Sequence, residues 1–219
     1  MAYRPGAWIV FRRSVRDWWD SWLPCFILGL IFVLSWFTVL LGPPATFTLV
    51  YAAYQVVHEG QALNARELPA IAWKYAGASW LWMLVNLLAA FFFLFNFNFY
   101  LTFSSPLREA ALVLFLFFIL LWWSINFYTL PYFFEQERRN LLVAFRNSIS
   151  TMLAAPGFSL LICGLGFILT IASILLVAPL LLGIPPLLSF LGVHAVNDRL
   201  IAFGLREPEI SPQELDRLH

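Results

Sequence analysis

The chain contains few charged residues. Lys, Arg, Asp and Glu make up only 11% of its 219 residues, whereas hydrophobic residues make up 62%. A water-soluble domain of this length cannot hide so much apolar surface, because its surface is too large a share of its volume. The composition therefore excludes a soluble globular protein and predicts an all-α, polytopic membrane bundle.

Charge is also missing from the interior of every apolar run, since the charged residues lie at or beyond the ends of these runs. Ion-coupled carriers usually need an ionisable residue at mid-membrane depth. Hydrolysis within the membrane needs a nucleophile with a base or a metal ion. The chain also lacks the HExxH and Gly-rich phosphate motifs. We therefore expect a protein that is not an enzyme, with no catalytic residues, no cofactor and no nucleic-acid partner.

Cysteine is scarce too. Cys25 and Cys163 cannot form a disulfide framework, and each lies in an apolar run, which favours two free thiols. His58 and His194 follow two short apolar runs, so two His and two Cys would in principle supply zinc ligands, or the two His a haem iron. Because the four residues lack the close spacing of zinc motifs, we interpret them as interfacial His and buried Cys and predict no metal site.

Long apolar runs, by contrast, are abundant. Four of them have about the length that crosses a bilayer, and two shorter ones begin at proline pairs, Pro43-Pro44 and Pro185-Pro186. Proline suits the first turn of a helix, so each pair is predicted to end one helix and begin the next. The six predicted transmembrane helices cover residues 23–41, 44–58, 77–103, 109–134, 157–182 and 185–198.

The two proline pairs allow a second interpretation. A helix that starts inside a membrane points free N–H groups at a ligand, as the broken helices of transporters do. Thr46 and Thr48 follow the first pair and would assist such a site. The simpler interpretation, which we favour, is that the prolines make tight turns.

Basic residues predict the orientation. If the N-terminus is cytoplasmic and all six helices cross, every Lys and Arg except Arg108 lies on the cytoplasmic side, in agreement with the positive-inside rule. Both termini, including a polar tail at 204–219, are then cytoplasmic in a bacterial plasma membrane. The predicted contacts for anionic lipids or for a protein partner are basic residues beside the amphipathic segments: Arg12, Arg13, Arg16, Lys74, Arg138, Arg139 and Arg146.

An internal repeat organises the spans. Two amphipathic segments, 7–22 and 140–155, carry apolar residues at steps of three and four, and the segment 11–15 (FRRSV) matches 145–149 (FRNSI). A fainter copy lies at 73–76 (WKYA). We therefore predict one transmembrane domain, residues 1–203, of three helical hairpins, each preceded by an amphipathic helix on the cytoplasmic surface.

Two asparagines are predicted to meet inside the middle hairpin. Asn86 and Asn126 lie at similar distances from the cytoplasmic ends of their helices if the chain turns at 104–106. A buried amide in lipid needs a polar partner. We therefore expect these side chains to contact each other or to share a polar neighbour.

The run LLGPPATFTLVYAAYQVV after the first span, followed by a basic, aromatic connector, resembles the YesL-type family of small bacterial membrane proteins. The resemblance covers roughly residues 8–200, and the segment Gly42-Pro43-Pro44-Ala45-Thr46 carries one proline more than the Gly-Pro-Ala common in the family. The family has no established biochemical activity, so the resemblance supplies no catalytic residues. It does imply an association with carbohydrate uptake and sensing systems.

Two functions follow as expectations. The first is a non-enzymatic accessory or regulatory membrane component associated with carbohydrate uptake, which depends on the resemblance. The alternative is a passive transporter or channel for a small neutral solute, because an aromatic interior with Asn and Thr but no charge suits such a ligand. A continuous polar cavity at mid-depth would favour the transporter, and a packed centre would favour the accessory component.

Overall fold

The computed structural model describes residues 6–60, 66–102, 107–176 and 178–207. Within these ranges the chain forms α-helices and no β-strand, so the all-α prediction is confirmed. The helices are α1 (Ala7–Asp20), α2 (Trp22–Phe37), α3 (Gly42–Glu59), α4 (Leu68–Lys74), α5 (Ala76–Leu101), α6 (Leu107–Glu135), α7 (Leu141–Ala154), α8 (Pro156–Leu175) and α9 (Ala178–Ala202).

Fewer helices meet a membrane-span criterion than the sequence predicted. In the described part of the chain, α5, α6 and α8 are each long and apolar enough to cross a membrane. Helices α1 and α2 meet the criterion only as a pair that is bent by 91°. The structure therefore contains three or four candidate spans and is compatible with a membrane protein.

The predicted amphipathic segments 7–22 and 140–155 correspond to α1 and α7. Helix α1 ends at Asp20, two residues earlier than predicted, and the chain then bends into α2. Helix α7 begins after Asn140, whose side-chain oxygen accepts hydrogen bonds from the N–H groups of Leu142 and Val143. Such a cap satisfies donors that the first turn leaves free.

One packing relation recurs three times in the bundle. The helices α3, α6 and α9, each the second of its hairpin, contact one another at the centre. In the hairpins α2–α3, α5–α6 and α8–α9, the first helix packs on the second. Each first helix also packs on the central helix of another hairpin: α2 on α9, α5 on α3, and α8 on α6. Likewise α4 packs on α3, α7 on α6, and α1 on α9. These contacts agree with three copies of one unit, including the faint second copy, arranged around the three central helices.

The predicted helix break at Pro185-Pro186 is wrong. Helix α8 ends at Leu175, and α9 begins at Ala178 and continues through both prolines. The spans predicted at 157–182 and 185–198 therefore become α8 and α9. A proline inside a helix costs about 3 kcal/mol or more in isolation. Here α9 packs against α1, α2, α3, α6 and α8, and such neighbours help a buried helix to tolerate proline.

The break at the first proline pair is present as predicted. Helix α3 begins at Gly42 with both prolines in its first turn. The turn before it contains Val39 at a positive φ of 58°. A Cβ atom on Gly42 would lie 2.7 Å from the Trp36 ring, so only glycine fits where α3 begins. The predicted turn at 104–106 lies outside the described residues.

The α5–α6 hairpin is longer than the α2–α3 hairpin. Tyr51 contacts Tyr75 and Phe47 contacts Trp82, with ring centroids 6.0 and 6.1 Å apart, so α3 and α5 are antiparallel. At 1.5 Å per residue, α5 extends about 28 Å from Trp82 to its end at Leu101, whereas only about 8 Å separates Phe47 from the start of α3 at Gly42. The α5–α6 overhang, residues 88–101 and 108–120, therefore extends about 20 Å past the start of α3, and none of its side chains is buried.

Candidate functional site: a polar cluster where three helices end

Charged and polar side chains gather at one end of the bundle, where α3 and α6 end and the last turns of α9 lie. We call four of them the Arg206 cluster: His58 on α3, Glu135 on α6, Asn197 on α9, and Arg206 just beyond α9. This end of the bundle, which also carries Lys74, Arg138 and Arg139, is called the charged end below.

Arg206 connects the three central helices. Its Nη1 donates to Asn197 Oδ1 at 2.7 Å and to His58 Nε2 at 2.7 Å, while its Nη2 donates to the Glu135 carboxylate. His58 Nε2 also lies 3.1 Å from Glu135 Oε1. The Glu135 side chain is only 5% exposed, so its charge is compensated by protein groups rather than by solvent.

The end of α9 explains how Arg206 reaches this position. Gly204 adopts the left-handed conformation with φ 71°. The Leu205 N–H bonds to the Leu200 carbonyl at 2.8 Å, and the Gly204 N–H bonds to the Ile201 carbonyl at 3.0 Å. This pair of hydrogen bonds is the Schellman motif. It reverses the chain and directs Arg206 back over the last turn of its own helix.

Electrostatics favour a cation at this position. The C-terminal end of an α-helix carries a partial negative charge, and three such ends lie close together here. The Glu135 carboxylate adds a full negative charge in a largely buried setting. The guanidinium of Arg206 offsets part of this negative charge, and its planar fork suits a carboxylate.

The two ring nitrogens of His58 have different roles. Nδ1 lies 3.0 Å from the Tyr54 carbonyl oxygen, so the neutral ring donates there and keeps Nε2 as an acceptor for Arg206. The Tyr54 ring stacks on the imidazole with centroids 4.3 Å apart. The same Nε2, once protonated, would donate to Glu135 instead.

A second pair joins the surface helix α1 to the central helix α9. His194 Nε2 lies 2.8 Å from Asp17 Oδ2. Burial alone would raise the pKa of Asp17, but the hydrogen bond and charge of His194, helped by Arg16, outweigh it, so that the pKa of Asp17 is lowered. Asp17 is therefore ionised at neutral pH and holds α1 against α9.

A third charged pair lies on α9 itself. Asp198 and Arg199 are adjacent, hydrogen-bonded and buried, and the Arg199 guanidinium carbon lies 3.7 Å from the Phe158 ring centroid on α8. Cation–π contact of this kind is stronger when both groups are desolvated. The pair thus links α9 to the first turn of α8.

Most of these residues were not predicted from the sequence as parts of a site. The last predicted span ended at 198, and no site role was predicted for the polar residues at its end, whereas Asn197, Asp198 and Arg199 are buried. The signal was present in the spacing, because His194, Asn197 and Asp198 recur at steps of three and four on one helix face. Glu135 and Arg206 carried no comparable pattern.

The structure does not bring together the His and Cys residues that would bind a metal. His58 and His194 pair with different carboxylates, and Cys25 and Cys163 are buried free thiols. Among the described residues, no group of three or more His, Cys, Asp or Glu side chains is placed to hold a metal ion.

The two predicted asparagines do contact each other. Asn86 Nδ2 donates to Asn126 Oδ1 at 3.0 Å. The indole of Trp82 donates to Asn126 Oδ1, and the indole of Trp122 donates to Asn86 Oδ1 at 3.1 Å. Each amide also donates to the carbonyl four residues before it. The network joins α5 to α6, and its amides are occupied by protein partners.

The other predicted site residues behave differently. Thr46 Oγ1 donates to the Gly42 carbonyl and Thr48 Oγ1 to the Pro44 carbonyl, so both hydroxyls bond within their own helix rather than facing a ligand. All seven basic residues predicted as lipid or partner contacts are exposed: Arg12, Arg13, Arg16, Lys74, Arg138, Arg139 and Arg146.

A groove of about 600 Å³ lies on the side of the bundle between α2 and the α4–α5 segment, with α3 behind it. Its lining is almost entirely apolar and includes small residues such as Ala45, Ala72 and Ala76. The centre of the bundle, by contrast, is filled by α9, whose residues 191–199 are all buried.

The chain matches no protein-family model, no curated protein and no solved structure. The resemblance to the YesL-type family therefore stays a prediction from the quoted motif.

Proposed function

We propose that this chain is a non-enzymatic accessory or regulatory component of a bacterial plasma membrane. One observation carries the proposal: α9 fills the centre of the bundle, and the 600 Å³ cavity opens instead on the side of the bundle, where lipid or another membrane protein would lie. A protein that acts through its lateral surface suits an accessory role better than a conducting one.

Two surfaces support a role in assembly. The α5–α6 overhang presents two apolar helices, and none of its described side chains is buried. The charged end presents the exposed residues Lys74, Arg138 and Arg139, and α1 and α7 carry further exposed arginines. We propose that the overhang packs against membrane-embedded partners, and that the charged end faces anionic lipids or a cytoplasmic partner.

The proposed topology keeps the charged end and both termini cytoplasmic, with six helices entering the membrane as three pairs. The short α2–α3 pair enters the membrane from the cytoplasmic side and returns to that side, whether or not its tip reaches the opposite membrane surface. The orientation of every later helix is therefore the same in both cases. The positive-inside distribution supports this orientation.

The resemblance to the YesL-type family supports an association with carbohydrate uptake within the same proposal. The alternative, passive transport of a small neutral solute, finds less support. Its best polar group at depth, the Asn86–Asn126 pair, is occupied by tryptophan indoles and helix carbonyls, and such a pair leaves few hydrogen-bonding groups for a solute.

Reconstitution separates the two functions. Liposomes that contain the purified protein are loaded with labelled neutral sugars and polyols. The efflux of these solutes is compared with their efflux from protein-free liposomes. The accessory role predicts no acceleration of efflux. It also predicts that a tagged chain, solubilised in mild detergent from its own host, retains a partner in fixed stoichiometry, and that the overhang variant Phe95→Asn with Leu116→Asn loses that partner. Solute efflux from the pure protein would contradict the accessory role.

A further inference from the structure

The lateral groove has walls from four helices. Its floor is the first part of α3, with Pro44, Ala45, Thr48 and Leu49. One wall is α2, and the other is formed by α4 and the first residues of α5. Because α2 and α5 stand apart on either side of α3, the space between them is open to the surroundings of the bundle.

The chemistry of the groove selects a hydrocarbon. Its lining consists of aliphatic, proline and aromatic side chains, with Thr48 as the hydroxyl-bearing member. That hydroxyl already donates a hydrogen bond to the Pro44 carbonyl oxygen at 2.9 Å. A polar ligand would lose its hydration here and would find few hydrogen-bonding groups besides the indoles of Trp73 and Trp80, whereas a hydrocarbon loses nothing.

The depth of the groove matches one membrane leaflet. It begins at Leu41, where α3 starts, and its other end is the α4–α5 junction, which lies level with Tyr51 through the Tyr51–Tyr75 contact. Ten residues of helix cover about 15 Å. This is about half of the roughly 30 Å hydrocarbon thickness of a bilayer. An acyl chain from one leaflet fits this depth, whereas a transmembrane helix of a partner would need a groove about twice as deep.

Two positively charged side chains lie near the end of the groove at the α4–α5 junction. Lys74 directly follows Trp73, which lines the groove and is 85% exposed. Lys74 Nζ lies 5.5 Å from the Tyr75 ring centroid, and the Arg139 guanidinium carbon lies 4.9 Å from the same centroid. Glu67, at the opposite end of α4, is exposed and opposes this charge only in part. A phosphate at this position would meet two basic side chains.

We propose that the groove binds one anionic phospholipid of the cytoplasmic leaflet, with an acyl chain along α3 and the phosphate beside Lys74 and Arg139. The proposal depends on the membrane setting and orientation proposed above, but not on the accessory role. Trp73 lies between the two parts of the lipid, at the depth where tryptophan is enriched in membrane proteins.

The test uses full-length protein in nanodiscs of phosphatidylcholine that contain a small fraction of phosphatidylglycerol with a diazirine on its acyl chain. After photolysis, mass spectrometry locates the labelled residues. We expect label concentrated on the groove lining, chiefly on residues of 44–49 and 72–80. A matched diazirine phosphatidylcholine is expected to label these residues about thirtyfold less, since Lys74 and Arg139 each contribute about 1 kcal/mol to anionic lipid binding.

Two variants test the binding of the acyl chain and the binding of the headgroup separately. Ala45→Phe with Ala72→Phe fills the groove and should abolish its labelling by both lipids, while the control Ala90→Phe, on the exposed overhang, should not change it. Lys74→Gln should reduce the preference for phosphatidylglycerol over phosphatidylcholine by a factor of about five. Its control, Arg13→Gln, removes one exposed charge on α1 and should keep the preference.

Other occupants predict other results. Equal labelling of the groove by the two lipids would overturn the anionic specificity, and label spread evenly over all lipid-facing helices would overturn the site. If a partner helix fills the groove, labelling appears only after that partner is removed, which also contradicts the proposal. A failure of the accessory role would instead appear as solute efflux and would leave the labelling pattern unchanged.

Discussion

Arg206 donates a hydrogen bond to His58 across 2.7 Å, although 148 residues separate the two along the chain. Through this contact, and through Glu135 and Asn197, one guanidinium joins the ends of all three central helices. Arg206 thus closes the bundle at the charged end.

Replacing Arg206 should destabilise the bundle. Arg206→Gln leaves the buried Glu135 carboxylate with only His58 as a charged partner, and removing one member of a buried pair is costly. Because Arg206 is 27% exposed, we expect a loss of about 2 kcal/mol in the free energy of unfolding, less than for a fully buried pair. Thermal or SDS-induced unfolding in micelles measures it.

A second substitution should rescue this loss. In Arg206→Gln with Glu135→Gln, no uncompensated carboxylate remains, so the double variant should be more stable than Arg206→Gln alone. Arg138→Gln, at an exposed position of the same end, serves as the control and should change stability by less than about 0.5 kcal/mol. A double variant as unstable as the sum of both single ones would show that the pair is not coupled.

The asparagine network should behave as one unit. Asn86→Leu and Asn126→Leu should each cost about 1 kcal/mol, because hydrogen bonds between membrane helices average somewhat below that value and each change also leaves an indole N–H without its partner. The double variant should cost less than the sum. Asn96→Leu is the matched control, since its amide bonds only to its own helix at the Phe92 carbonyl. Strict additivity in this cycle would contradict a shared network.

Stability should fall in acid through the Asp17–His194 pair. The pKa of Asp17 is lowered in the folded protein below its ordinary value of 3.8. The stability that this shift contributes is therefore present above pH 3.8 and is lost as the pH falls through the folded pKa. Asp17→Asn should be less stable than the parent chain at neutral pH, and this deficit should shrink below pH 3.8. A deficit that is independent of pH would contradict the ion pair.

Cysteine labelling tests the orientation. In a background with Cys25→Ser and Cys163→Ser, single cysteines replace either Arg138 or Arg108. A maleimide that cannot cross membranes should label the Arg108→Cys variant in intact cells, and the Arg138→Cys variant only after permeabilisation. The reversed pattern would contradict the positive-inside assignment and with it the cytoplasmic leaflet proposed for the lipid site.

Local patterns were sufficient to predict the units of the fold. The apolar stripe of α1 and its copy in α7, the helix break at the first proline pair, and the meeting of Asn86 with Asn126 were all predicted from patterns along the chain. Each of these features depends on helical periodicity or on simple antiparallel geometry, which act over short distances or through one hairpin.

Two other features depended on contacts that no local pattern contains. Pro185 and Pro186 were predicted to break a helix, yet α9 passes through both because five neighbouring helices surround it. Arg206 was assigned to a polar tail, yet it binds residues from α3, α6 and α9. In both cases the energy that decides the conformation comes from partners far away in the sequence.

The amino-acid sequence by itself determined that the chain forms apolar helices in three related units, and it predicts that every basic residue except Arg108 lies on one side. Composition and periodicity carry that information, because each residue's preference for lipid, water or a helix face is local. Only the tertiary structure decided which polar groups are neutralised within the bundle and where it leaves a groove open. Those outcomes depend on how helices distant in sequence pack, and the electrostatic and packing energies involved exist only once the helices have met.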